Sequence, residues 1–178
     1  MSKTNELIIA GFGGQGILFA GKVLAYGGLM CDKEVSWLPS YGPEMRGGTA
    51  NCHVIISDTP IGSPIITEPN ILIAMNKPSL DKFENDVVSG GTIIIDSSLI
   101  DRKVERTDVN VFYIPATQMA LDMNAAKMAN MIILGKLIKE TDIMSYEELK
   151  TGLTKCVPPT KAELVDFNMK IIDAGYNY

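Results

Sequence analysis

The stretch Leu7-Ile-Ile-Ala-Gly-Phe-Gly-Gly-Gln-Gly16-Ile-Leu-Phe-Ala20 decides the fold. Leu7 to Ala10 is an apolar run of strand length that stops at a glycine cluster. Beyond it, Ile17, Ala20, Val23 or Leu24, and Gly27 or Gly28 recur on one helical face. The segment therefore reads as strand, turn and helix. Gly11, Gly13 and Gly16 fit the spacing G-x-G-x-x-G in that setting, where glycines permit a tight turn and the helix N-terminus offers unpaired N–H groups to an anion. A nicotinamide-binding Rossmann site also needs an acidic side chain at the end of the second strand. Here that strand is Glu34 to Leu38, with Glu34 at its start and Trp37, Leu38 and Pro39 at its far end. The fingerprint is half complete. Three readings stay open: a nicotinamide site, glycines that only let the helix pack closely, and a loop facing an anionic ligand or a partner chain. Gln15 adds a donor and an acceptor at the loop tip.

Further strands are expected at Ala50 to Ser57, Ile71 to Met75, Thr92 to Asp96 and Val111 to Ile114, with Pro39 ending the strand before it. Pro78 suits the first turn of a short helix over Ser79 to Phe83. From Ala116 onward the chain reads as helical. Ser145 with Glu148, and again Thr160 with Glu163, have the spacing of a capping box. Strands alternating with helical segments predict a single domain over residues 1–178. Its fold class is α/β, a layered Rossmann-like domain with a central mixed, mainly parallel sheet and a hairpin-like antiparallel section in the middle.

The second unusual stretch is Ser40-Tyr-Gly-Pro-Glu-Met-Arg-Gly-Gly48. Gly42-Pro43 and Gly47-Gly48 restrict the backbone route and present Glu44 and Arg46 between them. Arg46 is either a solvated surface cation or a positioned guanidinium for a phosphate or carboxylate. In a parallel sheet both loops would follow the first two strands and lie on one edge. Asn130 falls in Ala125 to Gly135, a helix apolar nearly all round, and so requires a specific partner.

Composition excludes several classes. The chain has 178 residues, 46% apolar and 21% charged, with a net charge of −5 and no basic cluster, which argues against nucleic acid as a partner. No apolar run reaches the roughly 18 residues of a membrane span. The N-terminus lacks the layout of a signal peptide, so a cytoplasmic location is expected. Cys31, Cys52 and Cys156 have no spacing suited to zinc or an iron–sulfur cluster and read as free thiols. His53, the one histidine, reads as a hydrogen-bonded structural residue, and the ten methionines as core filler. No catalytic or metal-ligating set is expected.

Taken together, Gly11-Phe-Gly-Gly-Gln-Gly16, the Ser40–Gly48 loop, Ile56-Ser-Asp58 with Ser63-Pro64, and Asn130-Met with Leu134-Gly135 resemble the gamma subunits of 2-oxoacid:ferredoxin (acceptor) oxidoreductases. The resemblance runs from Leu7 to about Leu137. It implies a subunit, inactive alone, of an enzyme that oxidatively decarboxylates a 2-oxoacid to an acyl-CoA and passes electrons to ferredoxin. It places thiamine diphosphate on alpha and beta subunits and iron–sulfur clusters on beta or a small delta subunit, with no cofactor bound by this chain alone. Coenzyme A contact is implied near the glycine loop. The residues expected there are Gly11, Gly13, Gly14, Gln15, Gly16, Tyr41, Gly42, Arg46, Gly47, Gly48 and Asn130. The wording Trp37 to Arg46 leans toward 2-oxoglutarate or branched-chain substrates. The alternatives are a free-standing nucleotide-binding oxidoreductase and a non-catalytic scaffold subunit.

Overall fold

The computed structural model describes residues 3–41 and 49–178. Among these residues six strands form one sheet: β1 (Thr4–Phe12), β2 (Glu34–Tyr41), β3 (Thr49–Ser57), β4 (Ile71–Ala74), β5 (Thr92–Asp96) and β6 (Asn110–Ile114). Their order is β2-β3-β1-β4-β5-β6. β1, β4, β5 and β6 pair in parallel. β3 runs against both β1 and β2, so it alone is reversed. The mixed, mainly parallel sheet is as the sequence predicts, whereas its antiparallel section lies to one side, in residues 4–57, and not in the middle.

Among the described residues six α-helices flank the sheet: α1 (Ile17–Leu29), α2 (Lys77–Phe83), α3 (Ala116–Asp122), α4 (Ala129–Glu140), α5 (Tyr146–Cys156) and α6 (Glu163–Tyr176). They divide unequally between the faces. Leu7 and Ile9 of β1, with Cys52, Val54 and Ile56 of β3, pack in one cluster with α1 and α3 to α6. Ile8 and Ala10 join Ile55, Leu72, Ile93 and Ile95 on the other face, under Leu80 and Phe83 of α2. β4 and the Ile93 to Ile95 run are buried on both faces, as expected of central parallel strands.

Loops cover what α2 cannot. Arg102 donates to Asp81 at 2.7 Å and to Glu84 at 2.6 Å, and the other Glu84 oxygen accepts from the Glu105 N–H at 2.6 Å. The buried Glu84 carboxylate is thus paired as well as hydrogen-bonded, the condition under which burying a charge is tolerated.

Three further sequence expectations need correction. The helix read from Ala125 begins only at Ala129, after a turn over residues 125–128. β2 continues through Pro39 to Tyr41, with Pro39 opposite Cys52. β2 is an edge strand, where a residue without an N–H is tolerated. Thr160 does not cap α6. It lies in a 3-10 turn, Pro159–Lys161, that leads directly into the helix, and the N-cap Ala162 already has helical angles. The Ser145 box is present in full: the Ser145 Oγ accepts from the Glu148 N–H at 3.2 Å, and the Glu148 carboxylate accepts from the Ser145 N–H at 2.6 Å. Those hydrogen bonds hold the Glu148 carboxyl below its ordinary pKa, backbone first.

α4 and α6 meet at glycines. A Cβ on Gly175 would lie 1.8 Å from the Ile132 carbonyl oxygen, and one on Gly135 would lie 2.0 Å from that of Ile172. Both obstacles are backbone, so a methyl group forces the helices apart. Gly175→Ala is expected to destabilise the chain by about 3 kcal/mol or more in urea unfolding. Gly62→Ala, with nothing within 4 Å, should stay within about 0.5 kcal/mol. Equal effects at the two positions would show that the close helix crossing is absent.

Candidate functional site: a glycine-lined crevice at the switch point

From β1 the chain departs toward β2 and β3, whereas from β4 it proceeds to β5 and β6 on the other side. The crevice beyond the C-terminal ends of β1 and β4 is therefore the topological switch point, where open α/β sheets bind ligands. The glycine loop fills its floor. Gly14 and Gly16 have φ of 96° and 73°, left-handed values that side-chain-bearing residues rarely adopt. Gly16 is the N-cap of α1, and no side chain caps the helix start. The first-turn N–H groups are thus left without an internal side-chain acceptor.

The expected site residues divide into two sets. Gly13 and Gly14 are exposed, and a Cβ on Gly14 would meet nothing within 4 Å. Gly11 is buried inside β1, where a Cβ would come within 2.5 Å of the Gln15 Oε1. Gln15 does not reach outward from the tip. Its Oε1 accepts from the Phe12 N–H at 2.6 Å and its Nε2 donates to the Met75 carbonyl at 3.1 Å. Asn130, 5% exposed, has the partner its setting demands: its Nδ2 donates to the Gly16 carbonyl at 3.1 Å.

Gly42, Arg46, Gly47 and Gly48 lie outside the described residues, as does the side chain of Tyr41. The strand ends on either side of that loop are described. Ala50 pairs with Gly11 on one side and with Tyr41 on the other. Both loops therefore start from the same sheet edge.

Two clefts flank the glycine loop. One, of about 160 Å3, is lined by Gly14, Gln15, Met75, Leu99, Thr117 and Lys127. The other, of about 290 Å3, is lined by Phe12, Gly13, Gly14, Gly16, Phe19 and Ala50. Phe12, Phe19 and Leu99 are each more than a third exposed and give the crevice an apolar rim. Lys127, the cation of the first cleft, has no carboxylate partner among the described residues. Sequence reading missed Lys127, Thr117 and Leu99, because no local pattern links them to a loop more than 80 residues earlier.

A larger cavity, about 500 Å3, opens at the opposite sheet edge among Lys3, Cys31, Lys33, Asp58, Ser145 and Glu148. Size alone does not make it the better site, because its charges pair with one another. Lys33 binds Asp58, and Glu148 is held by the Ser145 cap. Burial, then the Glu148 carboxylate, pushes the Cys31 thiol pKa up, which leaves it protonated. Among the described residues no group of three or more His, Cys, Asp or Glu side chains is arranged to hold a metal ion. No helix there is long and apolar enough to cross a membrane.

The fold and crevice define an α/β domain with a glycine loop at its topological switch point. Residues 6–178 match the family model described as pyruvate ferredoxin/flavodoxin oxidoreductase, and the chain belongs to that family. It is 38% identical over 167 residues to ketoisovalerate oxidoreductase subunit VorA of Methanothermobacter thermautotrophicus, covering 94% of this chain but 35% of that one. The chain thus spans about a third of that relative's length. It is 35% identical to 2-oxoglutarate synthase subunit KorC of Methanocaldococcus jannaschii, covering 96% of this chain and 91% of that one. Among solved structures, a keto/oxoacid ferredoxin oxidoreductase gamma subunit from Geobacter sulfurreducens superposes with a TM-score of 0.84 at 28% identity, covering 98% and 95% of the two chains. A 2-oxoglutarate:ferredoxin oxidoreductase from Magnetococcus marinus, solved with 2-oxoglutarate, coenzyme A and succinyl-CoA bound, shares the fold at a TM-score of 0.87 and 24% identity. That match covers 98% of this chain and 31% of the other.

His53 accepts at Nδ1 from the Ile66 N–H at 3.0 Å, which requires an unprotonated nitrogen. Burial, then the nearby Lys82 charge, lowers its pKa below 6.5. The unfolded chain takes up this proton first as pH falls. The group's stabilising contribution is therefore complete above pH 6.5 and is lost as pH drops through the folded-state value. With one histidine in the sequence, a proton NMR titration should show a single imidazole midpoint below 6.5. A midpoint at or above 6.5 would mean that the Ile66 contact is missing.

Proposed function

We propose that this chain is the gamma subunit of a 2-oxoacid:ferredoxin oxidoreductase and that its crevice holds an anionic part of coenzyme A. In this reading the assembled complex oxidatively decarboxylates a 2-oxoacid such as 2-oxoglutarate to its acyl-CoA. Alpha and beta subunits, with or without delta, carry thiamine diphosphate and the iron–sulfur clusters. Ferredoxin takes electrons from the complex, which resides in the cytoplasm. The gamma chain supplies binding and assembly surfaces and no reacting group of its own.

The observation that carries this reading is the open glycine loop at the uncapped head of α1, with Lys127 beside it. The phosphates of coenzyme A suit N–H donors and a lysine. Its long pantetheine arm suits the rim of Phe12, Phe19 and Leu99. Arg46 belongs to the loop that leaves from the same edge, and Gly13, Gly14, Gly16, Tyr41, Gly42, Gly47 and Gly48 complete the proposed contact set. The KorC and gamma-subunit relatives, of nearly the same length, support a separate subunit. The nicotinamide alternative loses ground on register: Glu34 pairs with Ser57 at the sheet edge opposite the glycine loop.

A tagged chain recovered from its own cytosol should bring down thiamine- and cluster-bearing subunits, with coenzyme A-dependent reduction of a dye by a 2-oxoacid. In that complex Lys127→Ala and Arg46→Ala should each raise the KM for coenzyme A roughly tenfold, the scale of one charge-assisted hydrogen bond. An intact, active complex whose KM ignores both substitutions would remove coenzyme A from this crevice.

A further inference from the structure

We propose that Gln15 and Asn130 are positioning residues that fix the glycine loop through its own peptide groups, an inference that rests on the crevice reading above. The parallel β1–β4 ladder ends at Ala10 opposite Ala74, followed by a hydrogen bond from the Met75 N–H to the Ala10 carbonyl at 2.9 Å. Gln15 adds one further bridge beyond that end. One side-chain amide joins the Phe12 N–H of β1 to the Met75 carbonyl after β4. The span of the switch point is thereby fixed by a residue of the loop itself. Each polar atom of that amide makes one bond to the loop or its neighbouring strand, so a ligand that drew Gln15 away would release the loop.

Asn130 works on the other end of the loop. The Gly16 carbonyl accepts from the Asn130 Nδ2 at 3.1 Å and from the Ala20 N–H, the first helical bond, at 3.0 Å. A trans peptide is planar, with its C=O and N–H pointing in opposite directions. Two donors holding the Gly16 oxygen inward therefore aim the Ile17 N–H outward, away from α4 and the helix body. The glycines are matched to these amides. A Cβ on Gly11 would lie 2.5 Å from the Gln15 Oε1, and one on Gly16 would lie 2.4 Å from the Asn130 Nδ2. Gly11 and Gly16 make room for the positioning side chains, whereas Gly13 and Gly14 face the crevice.

The assembled complex carrying Asn130→Asp or Gln15→Glu tests this, since each change keeps the shape and replaces the N–H donor with an oxygen set against a carbonyl. Amide exchange of Phe12, Gln15 and Ala20, whose N–H groups are bonded within the loop and its helix start, should accelerate about tenfold or more, with Ile93 to Ile95 unchanged. The KM for coenzyme A should rise about tenfold while kcat stays within about twofold. Unchanged exchange overturns the proposal. So does faster exchange with an unchanged KM, provided Lys127→Ala still raises it. If Lys127→Ala and Arg46→Ala are silent as well, the crevice reading itself has failed and the positioning role falls with it. Should Asn130→Asp not assemble, the half-buried Gln15→Glu carries the same comparison.

Discussion

The insertion of β3 between β1 and β2 is the constraint on which the rest of the structure depends. Ala50 lies opposite Gly11 on one side and Tyr41 on the other, so one strand levels the ends of its two neighbours. Because β3 is antiparallel to both, β1 and β2 run the same way, and the loops that follow them emerge from a common edge. Core packing pins this register. Cys52, Val54 and Ile56 must face α1, and a slip of one residue would turn them outward and bring His53 in. The deep burial of Cys52, which pushes its thiol pKa up to about 12, reflects the same packing. Placement of the two loops is thus a by-product of an apolar alternation in the strand between their own strands.

That dependence explains which parts of the fold could be read from the sequence. β5 is legible because Gly90-Gly91 and an isoleucine run are both local signals. The start of α5 is legible because its cap lies within four residues. Pro39 misleads because its effect on a strand depends on whether the strand is at an edge, and edges are set by non-local pairing. β1 extends to Phe12, beyond its apolar run, because Thr49 pairs with it from across the sheet.

The site was half legible for the same physical reason. Residue type pointed correctly to Asn130 as a polar group needing a partner, which the Gly16 carbonyl supplies. Direction was not readable. Gln15 reaches a carbonyl 60 residues away, and Asn130 one that is 114 residues away. A glutamine at a loop tip is expected to face solvent unless the neighbouring strand ends within its reach. Lys127 joined the crevice through the crossing from α3 to α4, which places a chain segment over the sheet edge that no periodicity reveals.

The helix layer bears on the crevice through α4. Gly135 and Gly175 allow α4 and α6 to touch backbone to backbone, and that contact sets how deeply α4 sits against the sheet. Gly27 and Gly152 do the same for α1 and α5. The two helices that meet at the Asn130–Gly16 hydrogen bond, α4 and α1, are therefore each seated by a glycine crossing elsewhere. A methyl group at Gly175 would need a shift of about an ångström and a half to reach ordinary contact with Ile132. The Asn130 bond, at 3.1 Å, has only a few tenths of an ångström to spare before its geometry fails. Close helix packing at one end of the domain is thus part of what holds the peptide at the mouth of the crevice. Glycines far from the site and glycines within it serve a single arrangement.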